Sequence, residues 1–374
     1  MKKILTSSAF VSSLVLSSAG ISNAQTTVTG NLAMSYKATS TDLATKGANI
    51  RTFGKESQIN LTHTNKLSNG MGLVAGFSLE FDGSDAMTNN ASSSALAVSP
   101  WRGVTNENTY IDFISGNTTF TIGADHMQNP DNTVTNLVGL ADPDDIISGV
   151  GGSTTTLYSP GKNSAYQAYQ FGVTQTTSFG KFSVGYAPDS SNGTVNSDTQ
   201  GFGPGNGVTQ YDQEESRYEI GFVGNLGVKD LTVQAFLNKE KNAGRKALDG
   251  TTGGDLQGKM LAARYNFGQA AVAYERAETK ALTTQENKSN SFGASYALSK
   301  EVTVGANYTK TETNRTAIMS TTAAKSADEK IKSVSVGYNL GPIVVGLSAG
   351  TVNGYNGISG ADGQAIRVDT NVRF

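Results

Sequence analysis

"GQAIRVDTNVRF", residues 363–374, ends the chain. Ile366, Val368, Thr370, Val372 and Phe374 alternate with Arg367, Asp369, Asn371 and Arg373, so a two-faced strand runs to the last residue. Chain ends ordinarily fray. A terminus that is itself an amphipathic strand, closed by an aromatic residue, needs a partner along its free edge.

The same period recurs upstream. "TTVTGNLAMSYKA" (26–38) sets Val28, Leu32, Met34 and Tyr36 against Thr29, Asn31, Ser35 and Lys37. "MGLVAGFSLEFD" (71–82) sets Leu73, Ala75, Phe77 and Leu79 against Ser78 and Glu80. "SRYEIGFVGNL" (216–226) and "DLTVQAFLNKE" (230–240) repeat it, and later segments end near Tyr or Phe, as an interfacial aromatic girdle requires. Between these strands lie tight turns, such as Ser68-Asn69-Gly70, Gly116-Asn117 and Gly341-Pro342. About seven such turns alternate with about eight longer polar stretches, near 39–54, 83–106, 125–163, 188–214, 241–257, 281–288, 313–329 and 353–363. This count predicts an all-β, antiparallel barrel of about sixteen strands with both chain ends on the short-turn side.

Composition agrees with that class. Gly (43) far outnumbers Pro (7) in 374 residues, which favours strands joined by tight turns. There is no Cys, so backbone pairing and burial carry the stability, and a thiol nucleophile is excluded. The mean hydropathy of -0.29 suggests a soluble protein, but a membrane barrel hides from that average because only every second side chain meets lipid. The first 24 residues read as a secretory signal peptide: Lys2 and Lys3, a short apolar run, then Ser22-Asn23-Ala24. The run is shorter than the roughly 20 residues that span a bilayer. Cleavage leaves a mature domain over 25–374, and the net charge of -2 becomes -4 once Lys2 and Lys3 depart. That balance gives no sign of nucleic-acid binding.

Taken together, the leader, the mature start "AQTTVTGNLAMSY", the segment "GNTTFTIGADH" and the terminal "NVRF" resemble the general porins of Gram-negative bacteria. The resemblance implies a transmembrane outer-membrane barrel that passes small hydrophilic solutes and ions by passive diffusion. It further implies contact with outer-membrane lipid, a homotrimer, and a terminal aromatic, here Phe374, read by the barrel-assembly machinery. It also places a long third loop inside the lumen, where it narrows the channel. Here that loop carries Asp125, Asp131, Asp142, Asp144 and Asp145 and, as far as Tyr158, no Lys or Arg. Without the resemblance, a solvated surface loop is the ordinary explanation of such a run.

Inward parity predicts Lys37, Arg217, Arg264, Arg367 and Arg373 as lumen bases and Glu80, Asp112, Glu219, Glu275 and Asp369 as lumen acids. Arg51 and Arg102 lie in long loops and are expected to reach inward. Ala124 follows Gly123 where the family often has Arg, which weakens transfer of its usual basic cluster.

Catalytic readings are poor. The only two His are His63 and His126; Asp125 and His126 adjoin, but neighbouring side chains in an extended segment diverge. Asp142, Asp144 and Asp145 lack the ordered ligand set and Gly of a calcium loop, and "GFGPGNG" (201–207) lacks the Lys of a phosphate loop. No cofactor or metal is expected, and no enzyme activity. The competing readings are a solute-specific channel, which would show an aromatic or basic ladder, and a secreted all-β adhesin, which would not need every long loop at one end. Trp101, in the second long loop, would meet a neighbouring subunit by the same resemblance.

Overall fold

The computed structural model describes residues 24–42, 49–80, 105–124, 137–138, 146–147, 169–187, 216–240, 256–281, 285–315 and 327–374. The first half of the barrel is β1 (Gln25–Thr41), β2 (Asn49–Lys66), β3 (Gly72–Glu80), β4 (Thr105–Ser115), β5 (Thr118–Ala124), β6 (Tyr169–Thr176), β7 (Gly180–Ala187) and β8 (Arg217–Gly224). The second half is β9 (Leu231–Glu240), β10 (Leu256–Phe267), β11 (Ala270–Ala281), β12 (Gln285–Ala297), β13 (Val302–Arg315), β14 (Glu329–Asn339), β15 (Ile343–Asn353) and β16 (Gly363–Arg373). Each strand pairs with its sequence neighbours, and β16 returns to β1, closing the barrel.

Closure answers the demand made by the terminal strand. Register runs from Asn31 opposite Arg373 to Thr41 opposite Gly363. Phe374 completes the seam: its N–H donates to the Gly30 carbonyl at 3.1 Å, and the Gly30 N–H donates back at 2.9 Å. The ring lies over Gly30, where a Cβ would sit 2.7 Å from the ring Cζ. An aromatic covering a strand glycine is a recurrent way of securing register.

The wall is apolar outside. Val28 (60 % exposed), Leu261 (59 %), Val334 (59 %) and Ile366 (55 %) all face outward. A barrel in water would not present so continuous an apolar surface; hydrocarbon makes it favourable. Aromatic pairs edge the band on both sides. Toward the long loops stand Tyr36 with Phe53 (ring centroids 5.0 Å apart), Tyr186 with Tyr218 (5.0 Å) and Tyr274 with Phe292 (4.9 Å). Toward the short turns stand Phe182 with Phe222 (4.7 Å) and Tyr265 with Phe267 (6.3 Å). The amphipathic ring end suits each water boundary.

The seven turns fall where the sequence puts them, but two loop extents change. β1 runs to Thr41 and β2 begins at Asn49, and β11 and β12 are separated only by residues 282–284. Arg51 is therefore a strand residue. It lies opposite Ala38 on the outer, exposed face and does not reach the lumen. Arg102 and Trp101 lie outside the described residues, as does the leader over 1–23.

The assigned faces make a direct prediction. Val304 lies opposite Tyr296 and Val336 on the outer wall, and Thr303 beside it points inward. Val304→Arg should lower folding stability, by up to the about 2–4 kcal/mol that an Arg costs at the bilayer midplane. Thr303→Arg should leave the urea midpoint of refolding into lipid vesicles close to native. Equal losses at both positions would contradict the faces.

Candidate functional site

Inside the barrel the alternation breaks in an informative way. Inward positions of β9–β11 hold Phe236, Met260, Ala262, Ala271, Ala273 and Ala277, where a water-filled lumen would favour polar groups. They are covered by Leu137, from the long connection between β5 and β6, which is only 2 % exposed. Val138 next to it rests on inward glycines. A Cβ at Gly305 of β13 would collide with Val138 Cγ2, and one at Gly337 of β14 would lie 3.1 Å from Val138 Cγ1.

A second anchor follows eight residues later. Ile146 and Ile147 are buried with Ile331, Val352, Tyr355, Ala361 and Ala365. Gly350 of β15 leaves room for both; a Cβ there would meet Ile146 Cγ2 at 2.9 Å and Ile147 Cγ2 at 3.1 Å. Leu137, Val138, Ile146 and Ile147 of the third loop are thus packed on the inner wall of the lumen. Burying each of Leu137, Ile146 and Ile147 is worth about 1.5–3 kcal/mol, enough to hold the loop against its ordering entropy at those points.

Around this loop, hydroxyl pairs cross-link the wall. Ser291 and Thr309 are 2.7 Å apart, Ser289 and Thr311 are 2.8 Å apart, and Ser335 and Ser348 are 2.9 Å apart. Small paired hydroxyls satisfy one another at these largely buried positions.

All the charged wall residues expected inside do point inward, but their access to water differs. Arg217 and Glu219 pair at 3.0 Å with side chains 3 % and 6 % exposed. Glu275 is 1 % exposed and Asp369 is 6 % exposed, the latter accepting a 2.7 Å hydrogen bond from Arg367 Nε. Lys37, Arg264, Arg367, Glu80 and Asp112 are partly exposed, and Arg373 is exposed at the short-turn end. The equal tally of five acids and five bases therefore does not hold at the water surface. Two of those acids reach it, against four of the bases. Lys181 of β7, which the sequence reading missed, is a further partly exposed inward base, and Glu329 is a further inward acid, fully buried.

Local geometry fixes several of these groups. Lys37 lies directly opposite Arg367 across the β1–β16 seam. Arg264 Nε donates to Asn266 Oδ1 at 3.0 Å, and Thr121 Oγ1 donates to Asp112 Oδ1 at 2.6 Å. Asp125, Asp131, Asp142, Asp144, Asp145 and His126 lie outside the described residues. His63 is on the outer face of β2, its Nδ1 3.0 Å from Thr26 Oγ1. Among the described residues, no three His, Cys, Asp or Glu side chains gather into a metal-binding group.

The glycines and inward apolar residues that seat the loop were the functional positions not singled out from sequence. Their signal was present. Gly305, Gly337 and Gly350 share inward parity on consecutive strands, and Ala271, Ala273 and Ala277 are apolar where the lumen should be polar.

Comparison with known proteins places this geometry. A sequence profile of the Gram-negative porin family matches residues 9–370. No curated protein sequence matches. Among solved structures, the chain is similar to the anion-selective porin of Comamonas acidovorans, with TM-score 0.65 and 14 % identity over 94 % of this chain and 100 % of that one. It is similar to OmpF of Salmonella typhi in complex with daunomycin (TM-score 0.63, 10 % identity, 93 % and 97 % covered). It is also similar to OmpT, an outer-membrane protein of Vibrio cholerae (TM-score 0.56, 13 % identity, 94 % and 98 % covered). A barrel of sixteen strands, an apolar outer band and a loop packed inside a polar lumen are what a diffusion channel requires. With the family profile spanning nearly the whole sequence, the chain belongs to the Gram-negative porin family of outer-membrane channels.

Proposed function

We propose that the channel sieves small hydrophilic solutes by size and charge at a constriction between the third loop's carboxylates and the accessible bases of the inner wall, with no chemical step. The observation that carries this is the pair of anchors at Val138 and Ile146. Asp142, Asp144 and Asp145 fall in the seven residues of sequence between them. Lys37, Arg264 and Arg367 supply the partly exposed bases, and Glu80, Asp112 and the other inward residues shape the field around them. A low-dielectric wall concentrates such fields.

The loop's five Asp residues outweigh the wall's surplus of accessible bases, which gives a weak preference for cations. The porin of Comamonas acidovorans bears the opposite selectivity. Phe374 serves as a signal for the barrel-assembly machinery, the leader is removed after Ala24, and the channel assembles as a homotrimer in the outer membrane. The uncharged outer faces of β15, β16 and β1 support that contact: Thr351, Asn353, Gln364 and Ser40 stand where other strands carry charge. The mass of the particle extracted in mild detergent reads both the leader and the subunit number.

Three outcomes are expected. Gly305→Val should displace Val138, widen the passage and raise single-channel conductance. Unchanged conductance in Gly305→Val would mean that this seat does not position the loop. In a KCl gradient the zero-current potential should have the sign of weak cation preference and move toward anions in the combined Asp142→Asn, Asp144→Asn, Asp145→Asn variant. Anion preference in the native channel, or no movement in the variant, would refute the assigned loop field. Phe374→Ala should reduce the heat-modifiable, folded protein in cells; native levels would remove its role as a signal.

A further inference from the structure

An aromatic ring stands on the inner wall at the level where the third loop leaves it. Tyr110 of β4 lies opposite Gly76 of β3 and opposite Gly123 of β5, the residue before the last of that strand. Neither partner has a side chain, and the ring uses the space. A Cβ at Gly76 would lie 2.9 Å from both Cε1 and Cζ of the ring, and one at Gly123 would lie 2.9 Å from Tyr110 Cβ. The ring is therefore laid along the wall over β3. Its hydroxyl reaches as far as β2, where it is hydrogen-bonded to the side chain of Thr62, the residue opposite Gly76. Tyr110 stays partly exposed, so the side away from the backbone is open to the lumen.

The backbone next to this ring is irregular. Pairing of β3 with β4 slips between Gly76 and Ser78, so Asn108 and Thr109 together stand against Phe77, and Asn108 takes a φ of 50°. Such a bulge bends its strand and re-aims the side chains beside it. The next inward residue along β4 is Asp112, about 7 Å along the strand from Tyr110. Its carboxylate is partly exposed and accepts a 2.6 Å hydrogen bond from Thr121 Oγ1. On β3–β5 the described inward side chains that carry charge are Glu80 and Asp112, both acids. The face of a phenol ring is negative, so an open ring beside a carboxylate attracts a cation, and its apolar surface favours one that carries methyl groups over a hydrated metal ion. Phe374 over Gly30 pins strand register with no carboxylate beside it on an inner wall; that role alone would not need Tyr110 to face the lumen.

We propose that Tyr110 and Asp112 form a subsite for small quaternary ammonium cations on their way through the lumen. The methyl groups of the cation rest on the open face of the Tyr110 ring, and the Asp112 carboxylate beside it balances the charge. One ring and one carboxylate give weak, brief capture, which raises the local concentration of such solutes and leaves the path open. The subsite rests on the reading of the lumen as a path for solutes, but not on the field of the third loop. It separates cations of equal charge from one another, which a field by itself does not do.

Single channels in planar bilayers test this with choline and with dimethylbutanol, its neutral isostere with carbon in place of nitrogen. In KCl, with choline replacing sodium at constant ionic strength, choline should reduce the potassium current along a saturating curve, and the isostere should not. The half-saturating choline concentration, read against each variant's own current, should rise about threefold to tenfold in Tyr110→Leu and in Asp112→Asn. It should stay near native in Tyr110→Phe, which keeps the ring. Asp112→Asn leaves the ring untouched, and heat-modifiable migration identifies the folded protein of every variant. Equal reduction by the isostere, or an unchanged half-saturation in folded Tyr110→Leu, would overturn the subsite and leave the ring as a pin of strand register. A saturating reduction by glucose at the same concentrations would show a sugar site instead, and would equally overturn it. The zero-current potential in a KCl gradient reads the loop separately: anion preference there, with choline capture intact, would refute the loop's field and uphold this subsite.

Discussion

Backbone hydrogen bonding in hydrocarbon is the constraint from which the rest follows. An unpaired amide or carbonyl in lipid costs several kcal/mol, so a spanning sheet cannot keep an edge. The pairing of β16 with β1 removes the last one, and reciprocal hydrogen bonds between Gly30 and Phe374 carry it to the final residue. Because closure is antiparallel throughout, both chain ends share one side and the long connections share the other. Because each side chain then points either to lipid or to the lumen, outer and inner surfaces can be specified independently along one strand.

That independence explains what could be read from sequence. Outer parity was legible because lipid imposes one rule on every strand; Val28, Leu237 and Phe292 all obey it. Turn positions were legible because Gly70, Gly227 and Gly341 adopt positive φ, a region that glycine enters without strain. Strand ends on the long-loop side were not. Beyond the bilayer both faces of β1, β2, β11 and β12 are polar, so the backbone stays paired after the periodic signal has gone. The assignment of Arg51 to a loop was lost for that reason.

The lumen was only half legible. Lys37, Arg217, Glu219, Glu275 and Asp369 occupy inward positions of their strands, but parity carries no information about what covers them. Glu275 and the Arg217–Glu219 pair are buried, while Lys37 and Glu80 stay in contact with water. The same packing turns Gly305, Gly337 and Gly350 from apparently featureless strand glycines into seats for Val138, Ile146 and Ile147. Such tertiary contacts join residues more than a hundred positions apart, and no local pattern encodes them.

A closed barrel of sixteen strands in this family is a channel whose lumen must conduct as a water-filled passage. The most direct measurement is single-channel conductance of the native protein in planar bilayers over a series of KCl concentrations. Stepwise openings whose conductance rises in proportion to the salt concentration are the predicted result. Conductance that saturates at low salt, or an absence of steps from protein shown to be folded, would contradict a diffusion channel built in this way.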